Sequence, residues 1–123
     1  MRKDVGVRLP QGRVRCPDVA LVRTQAASDL TKSRFDPDDV VLAVEIESPD
    51  SRKIDRDEKP FEYAAVGIQF YWRVEREGNE PVVHTYELDL GSRAYRLVGV
   101  YRDRLKVTEP FDIEIDLTDV HRF

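Results

Sequence analysis

The chain has 123 residues, of which 41% are hydrophobic and 36% are charged. This length suits one folded domain, and the hydrophobic fraction is too high for a disordered chain, so we expect a single domain over residues 1–123. The formal net charge of -4 argues against a protein whose whole surface grips nucleic acid, because that kind of binding depends on neutralising phosphates.

The residue types also argue against a membrane anchor and a cysteine-rich metal site. The sequence has no unbroken run of about 18 apolar residues, and its start has basic residues without the apolar segment of a signal peptide. A cytoplasmic protein that does not enter the membrane is therefore expected. Cys16 is the single cysteine, which excludes an internal disulfide and a cysteine-rich zinc site.

The first third of the chain predicts short extended pieces followed by a central strand. LPQG at residues 9–12 predicts a turn between two such pieces, and DVALV at residues 18–22 predicts a buried strand. Few apolar residues recur over residues 23–39, which predict a loop. VVLAVEIES at residues 40–48 then predicts the central strand of a sheet, nearly continuous in apolar residues because both of its faces are covered.

Two glutamates interrupt this central strand. Side chains alternate along a strand, so Glu45 and Glu47 project from the same face. An unpaired carboxylate is expensive to bury, and the apolar neighbours of Glu45 predict that it is buried for a reason. Two interpretations of Glu47 stay open: a surface ion pair with Arg52 or Lys53, or a metal ligand.

A helix is predicted at about residues 57–66, after the central strand. Pro60 is tolerated there only if it falls in the first turn, and Gly67 is typical of a residue that ends a helix. Lys59 and Tyr63 are four residues apart and share one stripe of the helix surface. The positions that we expect to pack onto the sheet, on another stripe, are Phe61, Ala64, Ala65 and Ile68.

The second half of the chain predicts a meander of strands. The expected strands are QFYWRVE at residues 69–75, VVHTYEL at 82–88, RAYRLVGVY at 93–101 and a short strand around 111–115. His84 is expected to be exposed on the hairpin that the first two of these form. The order strand, loop, strand, helix, strand and meander predicts a mixed sheet with helical cover, not a doubly wound one.

Converging carboxylates at strand ends are a usual means of holding a hard divalent cation such as magnesium. Asp18 begins one predicted strand and Glu45 lies late in another, so they meet if these strands are neighbours. Lys59 would then orient the attacking water or stabilise charge on a phosphate, which suffices for metal-assisted phosphodiester hydrolysis. Each residue also has a plainer explanation: Asp18 after Pro17 is a common turn combination, and Lys59 is a helical i,i+4 partner of Asp55.

Three segments resemble a known family. CPDVALV, LAVEIESPDS and DRDEKPFEYAAVGIQFYWRVE, within residues 13–75, look like the core of the Uma-two family, a restriction endonuclease branch of the PD-(D/E)XK nuclease superfamily. The resemblance implies an α/β fold, namely a restriction-endonuclease-like mixed β-sheet with a helix after the central strand. Family members usually have a longer N-terminal region with a further acidic residue, so the resemblance also implies that this domain is N-terminally short.

The resemblance implies metal ligands. In the superfamily, the aspartate of the PD pair and the first acid of the (D/E)XK motif bind the ion, and these positions match Asp18 and Glu45. The main-chain carbonyl of Ile46 is implied as an extra ligand. The implied ion is Mg²⁺, with Mn²⁺ as an alternative.

One position departs from the superfamily pattern. Glu47 stands where the superfamily has its lysine, and it is kept as a candidate third metal ligand and catalytic residue. The family commonly has a lysine on the following helix instead, and Lys59 in DEKPFEY matches that lysine. Tyr63 matches the tyrosine beside it, with an assisting or packing role.

The leading function hypothesis is a metal-dependent endonuclease that hydrolyses nucleic-acid phosphodiester bonds, with DNA as the expected substrate. The alternative, favoured by the departures from the family pattern and by the acidic net charge, is a catalytically silent nuclease fold that serves as a binding or assembly module. A small-molecule enzyme using the same carboxylates is a remote option. An exposed sheet edge left by the short N-terminus would favour a homodimer.

Overall fold

A computed structural model describes residues 6–23, 34–47, 58–78 and 80–119 of the chain. The strands are β1 (Gly6–Arg8), β2 (Val14–Arg15), β3 (Val19–Val22), β4 (Arg34–Phe35), β5 (Val40–Ile46), β6 (Phe70–Glu77), β7 (Glu80–Asp89), β8 (Ala94–Tyr101), β9 (Arg104–Val107) and β10 (Ile113–Asp116). The α-helix is α1 (Lys59–Ala65), and short 3-10 turns occupy Pro10–Gly12, Pro37–Asp39 and Leu117–Asp119.

The main sheet has five strands in the order β3-β5-β6-β7-β8. Strand β5 pairs antiparallel with β3 and parallel with β6, and β6, β7 and β8 form an antiparallel meander. A parallel pair requires a crossover, and α1 lies within the one that joins β5 to β6. The expected α/β class, with a mixed sheet and a helix after the central strand, is therefore confirmed.

The two faces of this sheet have separate apolar clusters, as the strand alternation predicts. The face covered by α1, called the helix side below, contains Ala43, Tyr71 and the helix residue Tyr63. The opposite face contains a larger set of buried residues: Leu42, Val44, Phe70, Trp72, Val74, Val83, Leu105 and Leu117. Burial on both faces explains why the sequence of β5 is nearly continuous in apolar residues.

Two smaller sheets accompany the main one. The first has the order β2-β1-β4, and the predicted turn at LPQG joins its antiparallel strands β1 and β2. The second pairs β9 with β10. The sequence did not predict β9, because it is only four residues long and lies among charged residues, but its Leu105 is buried against the main sheet.

The prediction of which helix residues face the sheet was wrong in part. Phe61 is 76% exposed, and Ala65 is exposed as well. Tyr63 and Ala64 are the buried residues of α1, so the stripe of Lys59 and Tyr63 is the one turned inward. A polar partner on the sheet, described below, accounts for this rotation of the helix.

Over the residues that the structure describes, no helix has the length and apolar content needed to cross a bilayer.

Candidate active site

Asp18 and Glu45 come together where β3 and β5 pair. The antiparallel register sets Val19 opposite Val44, so the next step of the ladder sets Asp18 opposite Glu45. The backbone N–H of Ile46 donates a hydrogen bond to the Asp18 carboxylate, with 2.6 Å between N and Oδ2. This bond holds the Asp18 carboxylate at the end of β5, beside Glu45.

Glu45 is a charged residue in a fully buried position. It is 0% exposed and lies on the helix side of the sheet, where the alternation of β5 places it after Ala43. Lys59 Nζ donates to Glu45 Oε2 at 2.9 Å, and the hydroxyl of Tyr63 donates to Oε1 at 2.7 Å. Both carboxylate oxygens therefore have a partner from α1, which is what a buried carboxylate requires.

The local sequence of α1 explains how one short helix supplies both donors. Lys59 and Tyr63 are one turn apart, so they project from the same stripe toward Glu45. Pro60 lies in the first turn, where the missing backbone N–H breaks no helical hydrogen bond. The helix ends before Gly67, whose φ of 86° lies in the left-handed region that glycine adopts without strain.

The surroundings of Glu45 change the acidity of both side chains in its bond with Tyr63. Burial raises the pKa of Glu45 to about 7, although the hydrogen bonds from Lys59 and Tyr63 act in the opposite direction. The nearby negative charge of Asp18 also raises this pKa, which is a further sign that the two carboxylates are close. Burial, with the adjacent Glu45 charge, raises the pKa of the Tyr63 phenol as well, so Tyr63 remains a donor.

Glu47 lies next to an arginine that the sequence analysis did not single out. Arg73 on β6 donates from Nη1 to Glu47 Oε2 at 3.0 Å and to Glu75 Oε2 at 3.1 Å. Its Nη2 donates to the hydroxyl of Tyr86 at 3.3 Å. His84 Nε2 lies 2.8 Å from Glu75 Oε1, and its side chain is only 15% exposed, so the expectation of an exposed His84 was wrong. The alternative partners of Glu47 considered from the sequence, Arg52 and Lys53, lie outside the described residues.

A second set of charges ties α1 to the N-terminal strands. Arg15 Nε donates to Glu62 Oε2 at 2.7 Å, and Arg13 binds the other oxygen of the same carboxylate. The hydrogen bond from Arg15 lowers the pKa of Glu62, with a smaller effect from Arg13. Glu62 lies in the same helix as Lys59, so these ion pairs help to fix the helix that supplies the lysine.

The donor set fits a hard divalent cation with few protein ligands. Among the described residues, no group of three or more histidine, cysteine, aspartate and glutamate side chains is arranged to hold a metal ion. Mg²⁺ needs less than that, since it commonly binds one or two carboxylates and completes its shell with water and substrate phosphate. Asp18 and Glu45 supply two carboxylates, and a carboxylate oxygen that accepts one hydrogen bond retains another lone pair. The Ile46 carbonyl points to the same neighbouring strand as the Ile46 N–H that binds Asp18.

The structure thus brings most of the predicted site residues together. Asp18, Glu45 and Lys59 lie at one end of the β3–β5 pair, whereas Glu47 is bound to Arg73. Arg73 was missed because it faces Glu45 only through the parallel pairing of β5 with β6. A single sequence contains no signal for that register.

Comparison with known protein families agrees with this geometry. The model of the Uma2 family, with the description "Putative restriction endonuclease", matches residues 1–118, and no curated protein matches the chain. The chain belongs to the Uma2 family, the same Uma-two family that its motifs resemble. Membership places it among restriction-endonuclease-like nucleases, which act on nucleic acid and generally use a divalent metal ion.

Proposed function

We propose that this Uma2-family chain is an Mg²⁺-dependent endonuclease that hydrolyses phosphodiester bonds in DNA. The observation that supports this most directly is the buried Glu45 carboxylate, held by Lys59 and Tyr63 beside Asp18. A buried carboxylate with a raised pKa, next to a second acid and a lysine, is typical of a catalytic site.

In this proposal Asp18 and Glu45 hold the ion, with the Ile46 carbonyl as a further ligand. When bound, a divalent cation supplies an activated water and neutralises charge on the phosphate. Glu47 is a less favoured ligand, because its Oε2 accepts a hydrogen bond from Arg73.

The chain's own residues orient the reacting groups. The Lys59 ammonium stays within 2.9 Å of Glu45, so it is positioned to stabilise negative charge on a phosphate and to orient the attacking water. The Tyr63 hydroxyl fixes the Glu45 side chain in one orientation, which keeps the site preorganised. Burial of Glu45 excludes bulk water from its side of the site, and this strengthens each of these electrostatic interactions.

The test is cleavage of supercoiled plasmid DNA by the purified chain. We expect nicking with Mg²⁺ or Mn²⁺, none with EDTA, and its loss in Asp18→Asn. The control is Asp112→Asn, which makes the same change at an exposed aspartate outside the site and should nick like the wild type. No cleavage by the intact chain with either ion, or full activity of Asp18→Asn, would contradict the proposal.

The second candidate function is a catalytically silent nuclease fold that binds nucleic acid or assembles with a partner. The pair of Glu47 with Arg73 favours it, because an acid occupies the position of the superfamily lysine. Calorimetric titration with Mn²⁺ separates the two functions: equal binding by wild type and Glu45→Ala would favour the silent module. A loss of binding in Glu45→Ala would favour the endonuclease.

A homodimer is part of the proposal. Strand β8 forms one edge of the main sheet, and edges with apolar side chains favour pairing with a second copy. Leu97 and Val98 on this strand are each 50% exposed. Sedimentation of the wild type against Val98→Lys would test this pairing, since a charge at the edge should leave only the monomer.

A further inference from the structure

A groove of about 410 Å³ lies on the helix side of the sheet, between α1 and the start of β8. Its size falls within the range of about 300–1,000 Å³ that is typical of small-molecule sites. The residues that matter below are Phe61, Arg73, Tyr86, Arg93 and Tyr95. The proposed catalytic residues do not line it.

The walls of the groove are aromatic and held in place. Tyr95 stacks on Tyr71 with 5.2 Å between ring centroids and 23° between ring planes, and Tyr86 contacts Tyr71 from another side at 5.8 Å. The Tyr95 hydroxyl donates to the carbonyl of Ile68 at 2.6 Å, which fixes its ring. Phe61 is 76% exposed on the outer side of α1. Rigid aromatic walls suit a flat, largely apolar ring system.

The charge of the groove selects an anion. Its lining includes two arginines, Arg73 and Arg93, and no carboxylate. Arg73 is already bound to Glu47 and Glu75, whereas within the described part of the chain no carboxylate forms an ion pair with Arg93. A ligand with a flat ring and a negative charge, such as a nucleotide, satisfies both features of the groove.

The groove continues from the proposed active site. Pro60 and Phe61 line it and directly follow Lys59 in α1, and Arg73 joins it to Glu47. A nucleotide next to the phosphate under attack can therefore reach it.

We propose that this groove holds the unpaired base of a nucleotide beside the cleaved phosphate. A base in a duplex is stacked on both faces and paired at its edge, so it enters an aromatic groove only after leaving the helix. The preferred substrate is then a single strand, or a duplex with an extruded nucleotide. This inference rests on the proposed nuclease function and specifies its substrate.

Binding measured without catalysis tests the inference. A fluorescently labelled single-stranded DNA dodecamer and the blunt duplex of the same sequence are titrated with the chain in EDTA, followed by anisotropy. We expect tighter binding of the single strand. Phe61→Ala should weaken that binding by roughly 5- to 150-fold, the usual effect of removing one stacking aromatic residue, and leave duplex binding unchanged.

Two pairs of variants supply matched controls. Phe111 is 49% exposed and does not line the groove, so Phe111→Ala should bind like the wild type. Arg93 has a φ of 59°, and Arg93→Asn removes its charge with a residue that tolerates this backbone. We expect Arg93→Asn to weaken single-strand binding and Arg102→Asn, at an exposed arginine that does not line the groove, to leave it unchanged.

The remaining outcomes overturn the inference. Equal binding of single strand and duplex, or single-strand binding that is unchanged in Phe61→Ala, would show that the groove holds no base. Displacement of the strand by a nucleoside monophosphate at the strand's own dissociation constant would indicate a site for free nucleotides. None of these binding results depends on cleavage, so a chain that prefers single strands through Phe61 but never nicks DNA would refute the proposed catalysis and leave the base site standing.

Discussion

Glu45 is the residue at which the fold and the proposed chemistry meet. A fully buried carboxylate costs free energy unless donors satisfy it, and Lys59 and Tyr63 both do so from α1. Even with these donors, burial raises the pKa of Glu45 to about 7. The metal-free protein therefore holds a proton that a bound cation would replace.

The stability of the metal-free protein should consequently depend on pH through Glu45. Below the ordinary pKa of 4.5 this carboxyl is protonated in both the folded and the unfolded chain, and the unfolded chain ionises first as pH rises. Its contribution to stability is thus fully present below pH 4.5 and is lost as pH rises to about 7. In EDTA, we expect the free energy of unfolding of the wild type to fall relative to that of Glu45→Gln.

The relative fall is on the order of 3 kcal/mol across this pH range, since each unit of pKa shift corresponds to about 1.4 kcal/mol. Urea unfolding of both proteins from pH 4.5 to 8 measures it. Profiles that run parallel over the whole range would show that the Glu45 pKa is not raised by folding.

Tyr63 should matter for both stability and cation binding. Tyr63→Phe keeps the ring but removes the hydroxyl that lies 2.7 Å from Glu45, and we expect it to destabilise the fold by about 1–3 kcal/mol. It should also weaken Mn²⁺ binding, because the ionised Glu45 loses a donor. Urea unfolding and calorimetry measure the two effects.

Tyr95→Phe is the matched control for this prediction. Its hydroxyl donates to the backbone carbonyl of Ile68, so its removal should cost stability but leave Mn²⁺ affinity unchanged. Equal losses of Mn²⁺ affinity in Tyr63→Phe and Tyr95→Phe would contradict a special link between Tyr63 and the site.

At the scale of elements, α1 shows how far helical periodicity can be used. The apolar positions Phe61 and Ala65 were expected to face the sheet, yet Phe61 is 76% exposed. The inward stripe is set by the hydrogen bonds of Lys59 and Tyr63 to Glu45. In a helix of seven residues these bonds outweigh the burial of one phenylalanine, and apolar spacing alone cannot show that.

The end of α1 offers a test of its backbone. Gly67 has a φ of 86°, and a Cβ added there would meet nothing within 4 Å, so Gly67→Ala adds backbone strain without a clash. We expect a cost of about 1 kcal/mol, or roughly 4 °C in thermal midpoint, and a smaller cost in Gly67→Asn because asparagine tolerates this region. Thermal unfolding of the three proteins checks the order. An alanine variant as stable as the wild type would contradict the described helix end.

At the scale of the whole molecule, the sequence predicted the class of the sheet better than its pairing. Alternation along QFYWRVE correctly places Phe70, Trp72 and Val74 on one face, because burial of one face imposes a period of two. The parallel register that sets Arg73 against Glu45 depends on a crossover whose length leaves the register free. For the same reason the motifs indicated Asp18, Glu45 and Lys59, whereas the network of Glu47 with Arg73 came only from the structure.

The sheet has one central role in the proposed function: pairing of β3 with β5 sets Asp18 beside Glu45. The most direct test is a crystal of the chain soaked in Mn²⁺, with the ion located by its anomalous scattering. We predict a single strong peak in contact with both carboxylates. An anomalous map without a peak at these residues, or with the ion bound elsewhere, would contradict the shared cation site.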